Sequence, residues 1–193
     1  MSANGFEPGK LLLLLRHPGN SRRLEPADDW LYGVIGAAIG VAGFALWAWA
    51  EQSGIRSTLS FFGSLLFSTA LQQAIVGELI WLGILSIILL TALLAIAGNR
   101  MGGRKRNWME AIAYCGGAQV WFGAAFAVCA IVGLVLWKVS LVLAVVLLLL
   151  DLNWLTLQAM ELHAVEDGKR LQFLCTVLGI YASLMALALS GLF

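Results

Sequence analysis

Residues 139–162 read VSLVLAVVLLLLDLNWLTLQAMEL, an apolar run long enough to cross a bilayer, with one carboxylate, Asp151, near its middle. A spanning helix needs about 20 mainly apolar residues, because the hydrocarbon core is about 30 Å thick and each residue rises about 1.5 Å. Lipid offers no partner to an unpaired backbone N–H or C=O, so a segment of this composition crosses as a helix. The same pattern recurs on either side. Trp30–Ala50 is bounded by Asp28 and Asp29 before it and Glu51 after it, and Ala74–Gly98 ends at Asn99. Ala111–Trp137 is separated from 139–162 only by Lys138, which predicts that these two helices are antiparallel neighbours, and Leu171–Leu192 follows a short polar turn.

Composition agrees. Of the 193 residues, 61% are hydrophobic and 12% are charged, with a mean hydropathy of +0.88. Soluble domains carry about 25% charged residues, so a water-soluble fold of this length would lack the polar surface to cover itself. The charges gather in the first 30 residues, in 99–110 and in 161–170. With five spans and the N-terminus in the cytoplasm, ten of the twelve basic residues fall on the cytoplasmic side. They are Lys10, Arg16, Arg22, Arg23, Arg100, Arg104, Lys105, Arg106, Lys169 and Arg170, and only Arg56 and Lys138 lie outside. Segment 58–73 is ambiguous. Leu59, Phe62, Leu66 and Thr69-Ala70 recur at helical spacing among Ser57, Ser60, Ser64 and Ser68, which suits either a sixth span or an amphipathic helix in the interface. A sixth span would carry the Arg100–Arg106 loop outside, against the positive-inside bias. The expected fold is therefore all-α: a polytopic transmembrane helical bundle of five spans, N-in and C-out, with an extra amphipathic helix near 58–73. Residues 1–29 form a cytoplasmic segment with a short apolar helix at the five leucines 11–15, and 30–193 form one transmembrane domain. The leucine helix is expected on the membrane surface or under the bundle, and no cleavable signal peptide is expected. Trp30, Trp47, Trp49, Trp108 and Trp137 fall near helix ends, where an indole suits the headgroup region. Trp81, Trp121 and Trp154 lie deeper and are expected to pack, as are Cys115, Cys129 and Cys175.

Three groups of residues could carry function. Gly33, Gly36, Gly40 and Gly43 share one face of the first span, where another backbone can approach closely, within the bundle or in a dimer. Asp151, Trp154, Gln158 and Glu161 line one side of an otherwise aliphatic helix. Asp151 lies about 16 Å from the Leu162 end, near the midplane, where a carboxylate must be paired or wet. It is either a proton-titrating site in a polar path with Gln158, Gln119 and Glu78, or a hydrogen-bonded link between helices held by Gln119, Asn153 or hydroxyls. Arg100, Arg104, Lys105 and Arg106 set topology and are candidate contacts for anionic lipid headgroups. Enzyme signatures are sparse. His17 and His163 are far apart, no metalloprotease or nucleophile-elbow pattern occurs, and no glycine loop has phosphate-binding spacing. No catalytic, cofactor or metal site is assigned, and no nucleic-acid partner is expected.

Three stretches resemble a known family. Asp29-Trp30-Leu31-Tyr32-Gly33 opens the first span after a basic segment, and Gly102-Gly103, a basic stretch and Ala113-Tyr114 lead into the third. Residues 151–192 then give a helix, a short polar turn and a last helix. This order is similar to that of the Yip family of Rab/Ypt-interacting membrane proteins, in particular its bacterial relatives. Val34 and Ala118-Gln119 stand where the eukaryotic pattern has prolines. The resemblance implies a five-helix membrane protein that acts through partners or shapes membrane organisation, and it does not extend to a small GTPase. The expectation is a non-enzymatic scaffold or assembly subunit in a bacterial cytoplasmic membrane, contacting the bilayer and other membrane subunits or itself. The alternative is a small transporter, channel or transport-complex subunit with its polar path centred on Asp151.

Overall fold

The computed structural model of the chain describes residues 7–58 and 69–190. Helix α1 (Pro8–Arg16) and a 3-10 segment (Pro18–Arg23) precede five long helices: α2 (Pro26–Thr58), α3 (Thr69–Met101), α4 (Trp108–Gly133), α5 (Trp137–Leu162) and α6 (Asp167–Ser190). Each of the five is long and apolar enough to cross a membrane. The protein is an integral membrane helical bundle. Residues 59–68 lie outside the described part, and with them most of the expected amphipathic helix; Thr58 ends α2, and Thr69–Gln73 are the first residues of α3.

The core is the contact between α2 and α4, by far the most extensive in the molecule. It is parallel and in register. A methyl group added at Gly33 would run into the Ile112 carbonyl, at Gly36 into that of Gly116, and at Gly43 into that of Gly123, while Gly123 faces the Ile39 carbonyl. Only hydrogen fits between these backbones, the close approach that small residues allow in membranes. Two parallel spans need an odd number of crossings between them, and α3 supplies one.

Helix α4 is the most enclosed span and α6 the least. On its other side α4 meets α3 and α5, and α6 packs on α3; Leu94, Cys115, Ala118, Leu155, Ala159, Phe173 and Val177 make up this apolar cluster. The outer faces are apolar: Val142, Val145 and Leu149 of α5 and Leu171 and Leu187 of α6 are exposed, as a lipid-facing surface must be. Two expectations fail here. Trp81 is 71% exposed rather than packed, and Cys175 is exposed whereas Cys115 and Cys129 are buried. Both sit on faces that nothing among the described residues covers. In lipid an outward indole or thiol meets the same apolar surroundings that it would meet in the core.

The N-terminal segment closes one end of the bundle. Leu14 is fully buried beside Leu24, Tyr32 and Ala113, while Leu12 and Leu15 face outward, so α1 lies under the bundle with one apolar edge exposed. The Asp29–Gly33 stretch holds it there. Asp29 Oδ1 accepts from Lys10 Nζ at 2.7 Å and its Oδ2 accepts from the Glu25 backbone N–H at 3.0 Å; the Glu7 N–H donates to the Tyr32 hydroxyl at 2.6 Å. The hydrogen bond to Asp29 raises the Lys10 pKa above its ordinary value. Helix α5 ends in a Schellman motif, with Val165 N–H donating to Met160 C=O and Ala164 N–H to Glu161 C=O. Ala164 there takes φ of 49°, the left-handed region that favours glycine.

The α2–α4 register gives a direct test. Gly43→Ala and Gly123→Ala should each lower stability by about 1–3 kcal/mol through overpacking, measured as denaturant midpoint in detergent. Gly77→Ala and Gly179→Ala, which meet open space, should leave it unchanged.

Candidate functional site

The polar stripe of α5 is brought together with α4 and the N-terminal segment. At its middle, Gln119 Nε2 donates to both Asp151 oxygens at 2.9 Å, and Gln119 itself is only 3% exposed. The room for that side chain comes from Gly40, where an added Cβ would stand 2.7 Å from Gln119 Oε1. Gly40 thus differs from Gly33, Gly36 and Gly43: it faces a polar side chain, and the other three face backbone. Cys115 lies near both Thr91 and the Asp151 carboxylate.

Further along the stripe each residue takes a partner from the 3-10 segment or its cap. Trp154 meets the His17 ring edge to face at 5.7 Å between centroids, Gln158 Nε2 lies 3.4 Å from the Pro18 carbonyl, and Glu161 pairs with Arg22 at 2.5 Å. A cavity of about 230 Å³ remains here, lined by Arg22, Tyr114, Cys115, Gln158 and Glu161 among others. Gln158 Oε1 and Trp154 Nε1 are buried without a hydrogen-bond partner among the described residues. Glu78 takes no part: it is about 20 Å along α3 from Thr91, which marks the Asp151 level.

The glycine face is used inside the bundle rather than offered to a second chain. The basic loop divides by role. Arg100, Arg104 and Lys105 are exposed. Arg106 turns inward, its guanidinium pairing with Glu110 at 2.6 Å and donating to the Leu162 carbonyl at 3.3 Å, while Asn99 brackets its backbone. The loop is stitched to the α5–α6 turn by Gly103 N–H to Ala164 C=O and Arg104 N–H to His163 C=O. His163 is wedged between them, 1% exposed, its ring where a Gly98 side chain would be and its Nδ1 3.2 Å from the Arg104 carbonyl. The N-terminal segment, the 102–107 loop and the 163–166 turn therefore share one end of the bundle.

One residue carries no role in the sequence reading beyond marking the end of the first span. Glu51, near the opposite end of α2, is 5% exposed, and neither carboxylate oxygen has a hydrogen-bond partner among the described residues. Its only sequence signal is an acid placed just after the Trp47-Ala48-Trp49 stretch. Comparison of the chain with family models, with curated proteins and with solved structures finds no match.

Burial lowers the His163 pKa, with the neighbouring Arg106 charge adding to the effect and the bond to the Arg104 carbonyl opposing it. The unfolded chain then binds a proton that the folded one excludes, so stability is full above about pH 6.5 and is lost as pH falls below it. Unfolding midpoints between pH 7.5 and 5.5 should fall for the wild type and fall less for His163→Gln.

Proposed function

We propose that the protein is a non-enzymatic scaffold or assembly subunit of a bacterial cytoplasmic membrane, with its N-terminus in the cytoplasm. The observation that carries this is the fate of the α5 stripe. Asp151 is taken up on both oxygens by Gln119, and Trp154 and Glu161 seat the N-terminal segment. The one carboxylate near the midplane thus links helices and is not left facing a conduit. Helices α3 and α6, by contrast, leave most of their length uncovered for lipid or for partner helices. The motif resemblance to the Yip family, proteins that act through partners, favours the same class. The three basic segments at one end support the cytoplasmic assignment of that end, with Arg100, Arg104 and Lys105 facing anionic headgroups.

A second reading, a small transporter or a subunit of one, is favoured by the 230 Å³ cavity and the unpartnered Gln158 oxygen. Asp151→Asn separates the two. It keeps an acceptor for Gln119 and cannot ionise, so a structural link loses about 0.5–1.5 kcal/mol and keeps its copurifying membrane partners in mild detergent. Intact folding with loss of the partners would sink the scaffold reading; loss of solute movement in proteoliposomes alone would establish the transporter. Membrane-impermeant labelling of single cysteines should reach position 56 from outside and position 104 only after lysis.

A further inference from the structure

We propose that the cavity between α4, α5 and the 3-10 segment holds the headgroup of a phospholipid from the surrounding leaflet, a zwitterion whose ammonium carries N–H groups: a phosphoethanolamine lipid. The cavity sits at the depth such a group occupies. Helices α4 and α5 have 26 residues each, about 39 Å, so about 4–5 Å at either end projects beyond a hydrocarbon core of about 30 Å. Gln158 lies about 6 Å from the Leu162 end of α5 and Tyr114 about 9 Å from the Trp108 end of α4. That is the boundary where headgroup gives way to chain. The rim borders lipid: Glu161 is exposed, and Leu157, one helical turn before it on the same face, is 45% exposed.

The lining selects the headgroup. Its two charged residues, Arg22 and Glu161, cancel, so an anionic headgroup drawn to Arg22 also meets a carboxylate on the same rim. The two pair with each other while half of each side chain is exposed, and a pair so exposed contributes little and opens readily. A zwitterion enters by exchange: its phosphate takes the Arg22 guanidinium and its ammonium takes Glu161, and both charges stay neutralised. Deeper in, the polar groups are uncharged. Gln158 is 6% exposed, and its Nε2 is turned to the Pro18 carbonyl and the Ser21 hydroxyl at 3.4 and 3.5 Å. That leaves Oε1 on the other side of the amide, buried and without a hydrogen-bond partner among the described residues. A buried acceptor left unpaired is costly, and an ammonium N–H answers it. Gln158 and Glu161 are three apart on α5 and so are neighbours on one face; the three N–H groups of an ammonium suffice to bridge them. A choline headgroup has no N–H to give Oε1, and a glycerol headgroup has no charge to give Glu161. Cys115, Ala159 and Leu162 complete a wall that is mostly apolar with a few placed polar groups, as ligand sites are. The lipid would tie the N-terminal segment to α5.

The test is thermal unfolding of the full chain, stripped of lipid in mild detergent, with phosphatidylethanolamine, phosphatidylcholine or phosphatidylglycerol of the same chains added at constant pH and ionic strength. Phosphatidylethanolamine should raise the wild-type midpoint by several degrees, saturably, and the other two by clearly less. Glu161→Gln should erase the preference over phosphatidylglycerol, and Arg22→Gln should abolish the increment, while Arg100→Gln in the basic loop should leave it whole. If neither site variant folds, the wild-type preference among the three lipids decides. An increment that is absent, equal for all three lipids, or undiminished in both site variants overturns the site. Glycerophosphoethanolamine, the same headgroup without chains, should give no increment at the same concentration. A rise equal to that of the lipid would make the ligand a water-soluble solute and sink the lipid assignment.

Discussion

The contact between α2 and α4 is made backbone to backbone, and the rest of the bundle is arranged around it. Hydrophobic association gives little drive between helices already dissolved in hydrocarbon, so close packing and internal hydrogen bonds must supply the cohesion. Gly33, Gly36 and Gly43 let α4 approach until carbonyls meet Cα hydrogens, and Gly40 leaves room for the Gln119 side chain. That approach puts Gln119 within reach of Asp151, holds Ile112 and Ala113 against Gly33, and brings Gly133 up to Glu51. Move α4 outward by a methyl group and each of these polar placements is lost with the packing.

The two ends of the bundle are finished differently. One end is closed by protein: α1 and the 3-10 segment, the basic loop, and the α5–α6 turn are cross-linked by hydrogen bonds around a buried histidine. The other end, beyond Gly43 and Gly123, is held by the Trp47–Ser140–Cys129 relay, with Glu51 beside it. Charge is neutralised by local pairs at the first end, Lys10 with Asp29, Arg22 with Glu161 and Arg106 with Glu110. At the second, the buried carboxylate has no such partner among the described residues.

How much of this could be read from the sequence follows from what lipid does to side-chain chemistry. The spans were legible because their length and apolarity have no other explanation in a chain this poor in charge. The α2 glycine face and the α5 stripe were legible as faces, since helical spacing fixes which residues share a side. Their partners were not. Core-facing and lipid-facing positions carry the same residues, so nothing in the pattern marked α4 as the enclosed helix or turned Trp81 outward. Gln119 could be named for Asp151 because few polar groups exist at that depth. The seating of Arg22 on Glu161 and His17 on Trp154 depends on a chain reversal that spacing does not encode. Glu51 read as a span boundary because acids commonly sit there, and Glu78 entered the polar set because it lies about one turn inside its span after Gln72 and Gln73, though α3 places it far from Asp151.

The pairing of α2 with α4 also orders events during synthesis. Gly43 and Gly123 are 80 residues apart, which at 5–20 residues per second is roughly 4–16 s of elongation. Throughout that interval the glycine face of α2 sits in the bilayer without its match, next to an α3 that offers bulkier side chains. The first span must therefore wait, held by lipid or by the insertion machinery, until the third arrives and displaces whatever occupied its groove. A nascent chain stalled before α4 would present an unmatched glycine groove to any other membrane helix nearby.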